Sequence, residues 1–129
     1  LGEINFKFQE DDVSFLDFAI TAHVGWKSKL LEAINHGEVP DRMQSAAPDQ
    51  CDFGKWIYGD GEKQYGNLAE FQDVRQKHET FHHAVGWVID LLIAGKKAEA
   101  LGLVRTGDYE NASHGLIEAT KNLKSITKG

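Results

Sequence analysis

Phe71-Gln72-Asp73-Val74-Arg75-Gln76-Lys77-His78-Glu79-Thr80-Phe81-His82-His83-Ala84-Val85-Gly86-Trp87-Val88-Ile89-Asp90-Leu91-Leu92 carries the strongest periodic signal in the chain. Phe71, Val74, His78, Phe81, His82, Val85, Val88, Ile89 and Leu92 recur in steps of three and four. That is the period of a helix with one buried face, and it is sustained over more than five turns. Asn67 is placed to open this helix and Gly95 to end it. Two of the residues on the apolar face are histidines, and an imidazole in a core costs stability unless it is hydrogen-bonded or coordinated.

The same period appears on either side. Phe15, Phe18, Ala19, Ala22, Trp26, Leu30, Ala33 and Ile34 form a stripe after the capping candidates Asp11, Asp12 and Ser14, with His23 beside it and Asn35-His36-Gly37 as its stop. Ala98, Leu101 and Val104, a break at Thr106-Gly107-Asp108, and then Ala112, Leu116, Ala119, Leu123 and Ile126 complete the chain. Residues 38–50 hold both prolines, Pro40 and Pro48, and read as a connection. Asp52 is a candidate cap for a short helix through Trp56 to Tyr58, closed by a Gly59-Asp60-Gly61 turn. Ile4, Phe6 and Phe8 alternate with polar residues, so residues 1–10 are expected to be an extended lead-in, with one helical domain over 11–129. The fold expected is all-α, an antiparallel four-helix bundle with an additional short helix carrying Cys51.

At 129 residues the chain is long enough for one core. Fourteen basic against twenty acidic residues give a net charge of −6 with no lysine-arginine block, so the electrostatic term that drives nucleic-acid binding is missing and no nucleic-acid partner is expected. No apolar run approaches the roughly 18 residues of a membrane span, and Leu1 to Phe8 lack the basic lead and apolar core of a secretion signal. A soluble segment without direct membrane insertion is expected. A single cysteine cannot form a bridge within the chain and fits a reducing compartment.

The chemistry concentrates in three segments. His78 and His82 are four apart, roughly 40° around a helix, and project side by side, whereas His83 is rotated roughly 140° from His78 and is expected either at the solvent edge or behind the ligands. Cys51 lies in Gln50-Cys51-Asp52-Phe53-Gly54-Lys55-Trp56, and His23 precedes Val24-Gly25-Trp26. Each alone has a plain reading: a helix-edge pair, a small buried thiol, a satisfied core histidine. Together, one soft thiolate and three imidazoles make a tetrahedral donor set suited to Zn2+. Trp26 and Trp56 are expected as large core residues beside the site, Gly54 to allow the cysteine segment to approach the helices, and His36 and His114 at helix ends or on the surface.

His23-x-x-Trp26-Lys27, Cys51-x-Phe53-Gly54-Lys55-Trp56 and His78-x3-His82, in that order, resemble the signature of the bacterial chemoreceptor zinc-binding (CZB) domain family. Gly107-Asp108-Tyr109-Glu110-Asn111-Ala112-Ser113 is similar to the family's closing region. The resemblance implies a helical bundle and a metal site of His23, Cys51, His78 and His82, with no catalytic role. It further implies a cytoplasmic sensory module, linked to or partnered with a chemoreceptor or diguanylate cyclase, and a homodimer. A zinc-bound thiolate suits sensing of zinc, of oxidants such as hypochlorous acid, or of both, and the residues do not rank them. Three other readings stand beside this one. His114-x3-Glu118 motivates a hemerythrin-like di-iron oxygen-binding bundle. A hydrolytic zinc enzyme would need an open coordination position and a general base. A structural zinc-stabilised interaction module would bind the metal without responding to it.

Overall fold

A computed structural model of the chain describes residues 2–127, with side chains from 13 to 126. Among the described residues there are seven helices and no strand: α1 (Gly2–His36), α2 (Arg42–Ala46), α3 (Asp52–Ile57), α4 (Asp60–Tyr65), α5 (Ala69–Ile93), α6 (Lys97–Thr106) and α7 (Asp108–Thr127). The expected all-α bundle is present in α1, α5, α6 and α7, and α3 is the short helix beside Cys51. Both α1 and α5 end before a glycine at φ 77°, Gly37 and the Gly95 of the α5–α6 turn. That left-handed conformation favours a residue without Cβ.

The long helices order themselves through pairs along their length. Lys27 meets Glu110 and Lys124 meets Asp17, so α1 and α7 run antiparallel. Phe81 packs on Tyr109 while Lys77 lies against Gly115, so α5 and α7 are antiparallel too. It follows that α1 and α5 are parallel to each other, an arrangement made possible by the long return through residues 38–68. Leu16 and Leu30 of α1, Val74, Phe81, Val85 and Ile89 of α5, and Tyr109, Leu116 and Leu123 of α7 form the core, all at 0–1% exposure. At about 1.5–3 kcal/mol for each large side chain removed from water, this is the main cohesive term.

Several expectations change. The backbone is already helical from Gly2, so the extended lead-in over residues 1–10 is not found where the backbone is described; Leu1 lies outside the described residues. Three alternating apolar residues with no partner strand cannot satisfy backbone groups, whereas extending an existing helix adds one bond for each residue fixed. For the same reason Asp11, Asp12 and Ser14 lie within α1 and do not begin it.

The buried face of α1 is also rotated from the expected stripe. Leu16, Ala19, His23, Leu30 and Ile34 face the core, while Phe18 is 57% exposed and Ala22 is open to solvent. Helix α1 carries apolar residues on two faces, so periodicity alone cannot select one. In the return, α2 and α4 are helices where a connection and a glycine turn were expected. Helix α5 begins one position later than expected, with Leu68 and not Asn67 at its cap.

Candidate metal centre

His23, Cys51, His78 and His82 come together from three elements, with one donor atom from each and all four atoms within 4.8 Å of one another. Helix α5 supplies two imidazoles because its i, i+4 pair lies on the buried face: His78 is 0% and His82 1% exposed. Helix α1 supplies His23, 4% exposed. Cys51 is half-buried just before α3.

The edges among His78, His82 and Cys51 fit one face of a tetrahedron. His82 Nε2 is 3.1 Å from His78 Nε2, and Cys51 Sγ is 3.3 Å from His78 Nε2 and 3.6 Å from His82 Nε2. With metal–nitrogen bonds of about 2.0–2.1 Å and a metal–sulfur bond of about 2.3 Å, tetrahedral N···N and N···S edges are about 3.3 and 3.6 Å.

The protons are placed by the far side of two rings. His82 Nδ1 is 2.7 Å from the Ser45 carbonyl, and His23 Nδ1 is 2.8 Å from the Ala19 carbonyl. A carbonyl only accepts, so each Nδ1 carries the hydrogen and each neutral ring turns a bare Nε2 lone pair inward. His23 Nε2 is buried without any hydrogen-bond partner. Bare lone pairs converging in a buried space repel one another unless a cation lies between them, and this arrangement of donors fits a soft divalent ion. His78 differs, since its Nδ1 is buried with no hydrogen-bond partner and the Phe53 ring packs edge-on at 5.2 Å.

Burial also keeps the imidazoles neutral. Desolvation lowers His23 to about 4, opposed by the Ala19 hydrogen bond and assisted by His82. It lowers His78 much further, with His82 and His23 adding to the effect, and lowers His82 as well. The Cys51 thiol is raised, first by burial, while backbone N–H groups at the start of α3 pull it down. A bound divalent cation would overcome that burial and hold the sulfur as thiolate.

Cys51 is itself the N-cap of α3: its Sγ accepts from Gly54 N–H at 3.3 Å. Asp52, the expected cap, is instead the first helical residue. The role of Gly54 is also more local than expected. A Cβ there would lie 1.7 Å from the Pro48 carbonyl oxygen, so the missing side chain lets the Pro48–Asp49 backbone fold over the start of α3. Phe53 bridges the centre and the aromatic packing of Phe15 and Trp56. Trp56 and Trp26, expected in the core, are both only partly buried, and Trp26 lines the cavity beside the cluster.

A cavity of about 800 Å³ opens between α1 and the return, reaching His23, Cys51 and His82. Phe18, Ala22 and Trp26, the second apolar face of α1, line it. His83, His36 and His114 are exposed, as expected, and none belongs to the cluster. Among the described residues the cluster contains no carboxylate, so the di-iron ligand set is not assembled there. The Ser45 and Ala19 carbonyls escaped sequence reading because any residue carries a carbonyl; only the i−4 position of Ala19 could have pointed to it.

A family model described as the chemoreceptor zinc-binding domain matches residues 23–89, just over half of the chain, and that span contains all four clustered residues. Neither a curated protein nor a solved structure matches the chain. No helix among the described residues is long and apolar enough to cross a membrane.

Proposed function

The chain belongs to the chemoreceptor zinc-binding domain family, and from that premise we propose that it is a regulatory domain in which His23, Cys51, His78 and His82 hold one Zn2+ ion. The observation that carries this reading is the convergence of three imidazoles and one sulfur with donor atoms within 4.8 Å of one another, the edges among His78, His82 and Cys51 being 3.1–3.6 Å and two of the rings fixed from behind by backbone carbonyls. Four protein donors close a tetrahedral site, the arrangement of a structural or regulatory ion rather than of one that activates water.

The centre is read as a sensor because Cys51 is only half-buried and borders the open cavity. A small oxidant can reach the sulfur, whose thiolate form is the nucleophile. With hypochlorous acid, the sulfur donates an electron pair to chlorine and hydroxide leaves; water then displaces chloride, giving the sulfenic acid and a proton. A sulfenic acid is a poorer metal ligand than a thiolate, so oxidation and loss of zinc lead to the same loosened return segment. Zinc and oxidant are both inputs on this reading, and a linked or partner chemoreceptor or diguanylate cyclase in the cytoplasm is the output. The family description, which joins zinc binding to chemoreceptors, supports that output. Homodimerisation belongs to the same reading, supported by Phe18 and Val24 exposed on α1 at 57% and 52%. A monomer in sedimentation velocity at high concentration would count against it.

Native mass spectrometry of the purified chain tests the central claim. One zinc per chain is expected, with none retained by Cys51→Ala under the same conditions. A wild-type chain that takes up no zinc, or two ions of a redox metal, overturns the reading.

A further inference from the structure

His82, Gly86 and Asp90 succeed one another at intervals of four on α5, so they form one nearly axial stripe. Helix α2 lies along that stripe. At one end the Ser45 carbonyl accepts from His82 Nδ1–H at 2.7 Å. In the middle Ala46 sits against Gly86, where an added Cβ would lie 2.9 Å from the Ala46 Cβ and 3.5 Å from Arg42 Nη2. At the other end Arg42 forks onto Asp90, Nε–H to Oδ1 at 2.5 Å and Nη2–H to Oδ2 at 3.0 Å. Two parallel charge-assisted bonds fix direction as well as distance.

A helix of five residues has no stability of its own. Asp41 caps it, accepting from Gln44 N–H at 3.2 Å, but that bond is internal to the segment and does not hold it to the bundle. What keeps the Ser45 carbonyl opposite His82 is the docking of α2 on α5, and the Arg42–Asp90 fork is its polar fastening. Hydrogen-bond acceptors behind a ligating histidine set its tautomer and orientation. The fork therefore lies two steps from the metal, through α2 and through one carbonyl.

We propose that Arg42 and Asp90 are positioning residues for the metal centre, acting through the docking of α2 and the Ser45 carbonyl on His82. By linkage the effect is reciprocal: metal binding tightens α2 against α5. Helix α2 is thus the surface element whose docking reports occupancy, and it carries Met43 at 84% exposure. This inference rests on the zinc-binding reading above.

The test measures Zn2+ affinity by competition with a chromophoric chelator in the wild type, Asp90→Asn, Arg42→Gln and the charge-swapped pair Arg42→Asp with Asp90→Arg. Glu110→Gln breaks a comparable exposed ion pair, Lys27–Glu110 at 3.2 Å, away from α2 and serves as control. Either single change should weaken binding roughly three- to tenfold, less than the roughly 10–100-fold of a direct outer-shell change. The swapped pair should recover part of the loss, and Glu110→Gln should change nothing. Amide exchange over residues 42–47 should slow when zinc is added to the wild type, and that slowing should shrink in Asp90→Asn. Affinity equal to wild type in both single variants, or an equal loss in Glu110→Gln, overturns the proposal while leaving zinc binding intact. A wild type that binds no zinc overturns the underlying reading as well.

Discussion

His78 Nε2 lies 3.3 Å from Cys51 Sγ, a contact that ties the middle of α5 to the residue capping α3. Cys51 is therefore used twice, since the same sulfur accepts from the Gly54 amide. The start of α3 and the donor cluster share one atom, so a change at the sulfur is felt by the helix at once.

The ligand set makes the first prediction. Alanine at His23, Cys51, His78 or His82 should each weaken zinc binding by more than the roughly 10–100-fold of an outer-shell change. His83→Ala and His114→Ala, at exposed positions, should do little. Competition titrations decide it, and a larger effect at His83 than at His82 would show that α5 presents another face to the metal.

Chelation should lower the melting temperature. An ion that binds only the folded chain stabilises it by about 4 kcal/mol when present at a thousand times its dissociation constant. For a chain of this size that corresponds to on the order of 10 °C or more. Calorimetry with and without a verified chelator treatment measures this, and superimposable curves would exclude a folded-state metal centre.

Acid should destabilise the chelated protein. His23 falls from its ordinary value of 6.5 to about 4 in the folded state, and His78 and His82 are lowered as well, chiefly by burial. The unfolded chain then binds more protons below 6.5, so this stability is full above that pH and is lost as pH falls toward 4. The slope is about 1.4 kcal/mol per pH unit for each proton taken up on unfolding. Denaturant midpoints at pH 7, 6 and 5 should fall in order, and a flat series would contradict neutral burial of the imidazoles.

Gly54→Ala should cost about 1–3 kcal/mol or more, because its Cβ would have to displace the Pro48 carbonyl. The same displacement moves the segment leading into Cys51, so zinc affinity should fall with stability. An unaltered affinity would mean that the Pro48–Asp49 backbone moves independently of the cysteine.

Mild oxidation should act first at Cys51, the only thiol. With one equivalent of hypochlorous acid, amide exchange should quicken over residues 51–58 relative to the long helices, and Cys51→Ser should remove the response. Equal responses in both proteins would reduce the domain to a metal binder with side oxidation at Met43, which is 84% exposed.

The helical fold, the buried face of α5 and the identity of the four clustered residues were legible in the amino-acid sequence. A strong three-four period fixes which side chains share a face, and donor chemistry resides in side-chain type, so His78, His82 and Cys51 announce themselves without coordinates. On α1 the sequence was ambiguous, because two apolar faces compete: packing against the rest of the bundle chose Leu16 and Leu30 for the core and left Phe18 and Trp26 to line the cavity. Short helices escaped for a related reason. Helix α2, at five residues, shows no period, and it exists through its docking on α5 and the Arg42–Asp90 fork. Which backbone groups orient the imidazoles, and why Gly54 is needed, emerged from the packing of distant segments. Carbonyls are common to all residues, and a close approach between chain segments leaves no mark in either segment alone.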